Sequence, residues 1–138
     1  MSLKKISDGF YTNKGMFAQE QDWTQSSVRG KPVAETDNWD GDTAIEDILA
    51  EYRNEDGTVN STEARKWCGF FDNSSDGNNQ EDYKHPIGRR VDGELRVTEG
   101  GVKASRRFLS ATKGVSQSEK DAHGDVLSHY ERRLDIGE

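Results

Sequence analysis

Glu81-Asp-Tyr-Lys-His-Pro-Ile-Gly88, continuing through Val91-Asp-Gly-Glu-Leu95 to Gly101-Val-Lys-Ala-Ser105, is the most informative part of this chain. It contains no nucleophile set beside a base, no metal-ligand spacing and no phosphate loop. Pro86 removes a backbone donor and pushes His85 out of the α region. Asp92-Gly93, between Arg90-Val91 and Glu94-Leu95-Arg96-Val97, is a hairpin signal. Residues 83–97 therefore read as a short β-ribbon or extended turn. Helical spacing resumes near Gly101, with Val102, Ser105, Phe108, Leu109 and Thr112 directed inward.

Upstream, Ile45, Ile48, Leu49 and Tyr52 fall on one face of a helix predicted from about Thr43 to Arg53, with Asp42 as its N-cap. A second helix is predicted from Asn60 or Ser61, where Glu63 completes a capping box. It carries Ala64, Trp67, Cys68 and Phe71 on one stripe. Downstream, Ser116-Gln-Ser-Glu119 is a capping box for a last helix that buries Ala122, Val126, Leu127, Tyr130 and Leu134. The expected fold is mainly α: a small bundle of about four helices with a short β-hairpin or extended turn. Residues 1–41 are expected to form an extended N-terminal arm, and residues 42–138 a small helical domain.

The 138 residues suit one domain, and with 30% hydrophobic and 33% charged residues the supply for a core is thin. Phe10, Tyr11, Met16, Phe17, Trp23 and Trp39 are scattered through the polar arm. They either cover the domain's own core or anchor in pockets of a neighbouring subunit, as interface Trp and Tyr do. No run approaches the roughly 18–20 apolar residues of a membrane span. The N-terminus lacks the apolar stretch of a signal peptide. The single Cys68 excludes an internal disulfide, so an intracellular, reduced setting is expected.

Charge is strongly patterned. Residues 35–82 hold fourteen Asp/Glu and three Lys/Arg, a balance of −11. Residues 84–113 hold Lys84, Arg89, Arg90, Arg96, Lys103, Arg106, Arg107 and Lys113 against three acids, a balance of +5. Two readings follow: complementarity within the chain, or association with another copy or a charged shell through opposite potentials. A nucleic-acid role for the basic stretch is weaker, because the whole chain carries −7 with a pI near 5.0.

Other candidate sites give way to plainer readings. Asp72 to Gln80 matches the first half of a calcium loop, but Tyr83 stands where the bidentate Glu belongs. Cys68, on an apolar stripe, reads as a buried inert thiol. His123 and His129 are six apart, which is not a metal pair on one helical face. No catalytic, cofactor-binding or metal-binding residue is assigned, and an enzyme is not expected.

Trp67-Cys68, Tyr83-Lys84-His85-Pro86, Asp92-Gly93, Gly101-Val102, Ala104, Leu109, Gly114-Val115 and His129-Tyr130 form an ordered string. Over about residues 63–134 it resembles a module of tailed-bacteriophage head-morphogenesis proteins, where it is often appended to prohead proteases or other head proteins. The arm of residues 1–41 departs from that pattern, and no protease serine is identifiable. The resemblance implies a non-enzymatic structural protein of a viral head: a decoration, minor head or assembly protein that binds the capsid shell or another head protein. It implies residence in the virion, and in the host cytoplasm during assembly. Contact is expected from Phe10, Tyr11, Phe17, Trp23 and Trp39 of the arm and from Lys84, Arg89, Arg90, Arg106 and Arg107. Self-association is a further expectation. The alternative is a soluble adaptor or regulatory protein that meets nucleic acid through the 84–113 basic segment.

Overall fold

A computed structural model describes residues 21–136. The fold is α+β, not a mainly helical bundle. Among the described residues, two three-stranded sheets and four α-helices enclose a main core and a smaller cluster around Trp23 and Phe70. Strands β1 (Trp23–Gln25) and β2 (Val33–Ala34) precede helix α1 (Gly41–Glu51) and the single turn α2 (Ser61–Ala64). A 3-10 turn (Arg65–Trp67) then leads into β3 (Cys68–Asp72). Strands β4 (Tyr83–Pro86), β5 (Gly88–Val91) and β6 (Glu94–Thr98) come next, followed by helices α3 (Glu99–Phe108) and α4 (Gln117–Leu134).

The largest correction concerns Cys68 to Phe71, expected on a helix. Helix α2 stops at Ala64, and Cys68–Asp72 is the central strand of the first sheet, between β1 and β4. Every residue of β3 is buried. A strand buried on both faces shows a continuous apolar run with no alternation, so periodicity alone does not separate it from a buried helix. Gly69 has a definite use there. A Cβ at this position would lie 2.7 Å from Nε2 of His123, so only glycine admits the imidazole.

Residues of the expected arm also join the sheets. Trp23–Gln25 pairs antiparallel with β3, and Val33–Ala34 pairs parallel with β6. The expected hairpin at Asp92-Gly93 is present. Val91 pairs with Glu94 across a two-residue turn with φ of 54° and 86°, the twist that a tight hairpin requires. Ile87, fully buried, is the single residue joining β4 of the first sheet to β5 of the second.

Caps fix the helices. Asp40, not Asp42, caps α1, accepting from the backbone N–H groups of Asp42 and Thr43. Thr98 caps α3 and Ser116 caps α4. Trp67, Phe71, Tyr83, Val102, Leu127 and Tyr130 meet in the main core, and Leu109 packs at its edge. Phe108, expected inside, is 57% exposed: α3 ends there and leaves the ring outside. Tyr130 clasps the early part of the chain. Its hydroxyl donates to the Val28 carbonyl and accepts from the Lys31 N–H at 3.1 Å.

Candidate functional site: a histidine–serine chain beneath a basic face

Five polar side chains from five places in the fold meet beside β3. Ser27 follows β1, His85 lies on β4, Ser105 on α3, His123 on α4, and Thr112 in the turn after α3. They form one continuous hydrogen-bonded chain. Ser27 Oγ lies 2.7 Å from Nδ1 of His123, whose Nε2 lies 2.8 Å from Ser105 Oγ. Ser105 Oγ lies 2.7 Å from Nδ1 of His85, whose Nε2 lies 2.6 Å from Thr112 Oγ1. Phe70 presses edge-on against both imidazoles, at 5.5 Å from His85 and 5.1 Å from His123.

The Thr112 end sets the direction of the protons. At the other end, Gln25 Nε2 donates to Ser27 Oγ and to the Ser27 carbonyl, leaving the Ser27 hydroxyl proton to be donated onward. Thr112 Oγ1 donates to the Phe108 carbonyl, a group that can only accept. Between these ends one order satisfies every atom. Ser27 donates to His123, His123 to Ser105, Ser105 to His85, and His85 to Thr112. Both imidazoles are then neutral and carry their proton on Nε2.

Electrostatics agree with that assignment. Burial, followed by the Lys84 charge, pushes His85 down to about 4, against a smaller opposing effect of its Ser105 hydrogen bond. Burial, then His85 and Arg106, pushes His123 down to about 3. His85 holds a left-handed backbone, φ 61°, immediately before Pro86. A non-glycine residue there carries strain of roughly 1–3 kcal/mol. Chemically the chain is closed. No imidazole nitrogen is free to take a substrate proton, and the Ser105 hydroxyl is committed as both donor and acceptor.

The surface above is cationic. Phe108 stands between two shallow clefts that His85 borders in common, with Arg107 beside one and Lys84 and Lys113 beside the other. The other expected contact residues divide sharply. Arg90 pairs with Glu51 at 3.0 Å, and its backbone N–H donates to Asp47. Arg106 grips both carboxylate oxygens of Glu131 at 3.0 Å and donates to Gly124 O and Ser128 Oγ. Arg89 donates to the carbonyls of Asn38 and Arg90. Much of the basic stretch is thus spent on contacts within the chain.

Trp23 is buried with Phe70 and Val115, and the Lys84 ammonium covers its ring at 4.5 Å. Half-buried Trp39 lies on the first turn of α3, where a Cβ on Gly101 would fall 2.8 Å from its ring. Trp23 thus packs within its own domain, while Trp39 also lines the cleft beside Phe108. Phe10, Tyr11 and Phe17 lie outside the described residues. Cys68 is buried and burial pushes its thiol up. Asp72 acts as a turn residue, accepting from the N–H and hydroxyl of Ser74 and from the N–H of Asp22.

Sequence reasoning missed the chain because Ser27 and His123 are 96 positions apart. One signal was available. His123 shares the inward stripe of α4 with Val126, Leu127, Tyr130 and Leu134, and a buried histidine requires partners. Among the described residues no helix is long and apolar enough to cross a membrane. In comparison with known proteins, no family model, no curated protein and no solved structure matches the chain.

Proposed function

We propose that this protein is a non-enzymatic structural component of a tailed-virus head, acting by contact with the capsid shell or another head protein. One observation carries the reading: many residues of the resembling string occupy scaffold positions. Trp67, Cys68 and Tyr83 are buried, Asp92-Gly93 makes the hairpin turn, and Tyr130 makes the clasp. His85, the most reactive-looking member of the string, is consumed in the closed polar chain. A string of this kind specifies a shape to be presented, not a reaction. Virion residence, with host cytoplasm during assembly, follows from the same reading.

The experiment is sedimentation of purified protein with assembled head shells and, separately, with duplex DNA at moderate salt. Co-sedimentation with shells alone is the expected result. Binding to DNA and not to shells would establish the adaptor reading and overturn this one.

A further inference from the structure

One continuous surface carries a knob and a cleft of opposite charge. The knob is the exposed Phe108 ring, flanked by Lys84, Arg107 and Lys113. The cleft, of about 450 Å³, is floored by Ile45, Tyr83 and Pro86 and rimmed by Asp42 and Glu81. Gly41 and Pro86 line both this cleft and the one beside Phe108, so knob and cleft lie side by side on one face. Among the described residues, none of Lys84, Arg107, Lys113, Asp42 and Glu81 enters a side-chain ion pair. Other charges nearby are paired, Lys103 with Glu99 and Asp37 for example.

We propose that this face pairs with the same face of a second copy of this chain. An apolar knob ringed by cations fits an apolar-floored cleft rimmed by carboxylates. Because one molecule carries both, a two-fold axis near Gly41 and Pro86 satisfies each arrangement twice. Phe108 of each copy enters the other's cleft, and Arg107 and Lys113 meet the other's Asp42 and Glu81. Such an isologous contact closes at two copies. A central aromatic anchor with a charged rim is the usual division of labour in an interface. A foreign partner would need to reproduce this same alternation of apolar and charged groups; a second copy has it already.

The test is sedimentation velocity and equilibrium on the free chain across a concentration series at low and high salt. The wild type should form a dimer that salt weakens. Phe108→Ser should raise the dissociation constant by about tenfold or more, as loss of an anchoring aromatic does. An all-acid variant (Arg107→Glu with Lys113→Glu) and a basic-cleft variant (Asp42→Lys with Glu81→Lys) should each be monomeric. Mixed in equal amounts they should form a heterodimer, since one contact is then restored with reversed sign and the other is the wild-type contact. Helicity and thermal melts check folding of each variant, and Glu81→Lys alone replaces the double change if lysine at position 42 weakens α1. A wild-type monomer at millimolar concentration and low salt overturns the proposal. So does a dimer indifferent to Phe108→Ser, or folded charge-reversed variants that fail to pair.

Discussion

Two regions flanking β3 hold the fold by different physics, an apolar side of the molecule and a polar one. In the first, Phe71 packs into an apolar core with Trp67, Tyr83, Leu127 and Tyr130. In the second, Phe70 and Gly69 meet a chain of imidazoles and hydroxyls. Apolar contacts are non-directional, so that side loses stability in proportion to the volume removed. Hydrogen bonds are directional and a buried orphan is expensive, so the polar side loses stability by defect and by proton. In a chain with a thin apolar supply, a saturated polar chain helps to dock α3, α4, β4 and the segment after β1 onto one another.

The largest effect belongs to the apolar side. Trp67→Ala should cost about 3–5 kcal/mol in urea unfolding, since Trp67 is 4% exposed and its indole N–H also donates to Tyr52. A loss below about 1 kcal/mol would mean that the ring is not a core element, and the contrast would fall with it.

Acid comes next, and it acts on the polar side alone of the two. Both folded-state values, about 4 for His85 and about 3 for His123, lie below the ordinary histidine value of 6.5. Below that ordinary value the unfolded chain takes up protons that the folded chain refuses. The contribution is therefore complete above the ordinary value and declines as pH falls toward the folded values. Allowing for solvent near His85, the loss between pH 7 and 4 should be on the order of 3 kcal/mol. The check is the pH dependence of unfolding free energy in wild type and in His123→Gln, where the slope should shrink. An unchanged slope would place the proton uptake elsewhere.

Ser105→Ala should cost about 1–3 kcal/mol, because it strands Nδ1 of His85 and Nε2 of His123 together. Combined with His123→Gln, the two costs should be clearly non-additive. Additive costs would show separate bonds and not one chain.

The smallest effect is at the rim. Arg106→Ala removes an ion pair to Glu131 whose members are 40% and 21% exposed. It should cost less than about 1 kcal/mol, and less still at high salt.

The parts of the fold that announced themselves did so through local chemistry. Ser116 with Glu119 marked the start of α4, the Ile45–Tyr52 spacing marked α1, and Asp92-Gly93 marked the hairpin. Each signal is complete within a few residues. Strand β3 was hidden because burial on both faces erased the alternation that marks a strand. Strands β1 and β2, of three and two residues, exist only through their partners. Phe108 was misplaced because it is the last residue of α3, at the helix end, where the ring has no core to face. The polar chain was illegible for a similar reason. Its members come from five separate places in the sequence, and none carries a mark of the others.

The Tyr130 clasp has a kinetic meaning. Its hydroxyl reaches back 102 positions to Val28, and 99 to Lys31, across the segment that joins β1 to β2. Contacts so distant in sequence cost loop-closure entropy before they return any stability. This fastening of the β1–β2 segment is complete only once the last helix has docked. During synthesis, that contact at the beginning of the described fold waits on its end. Truncation anywhere before Tyr130 leaves both sheets without that fastening.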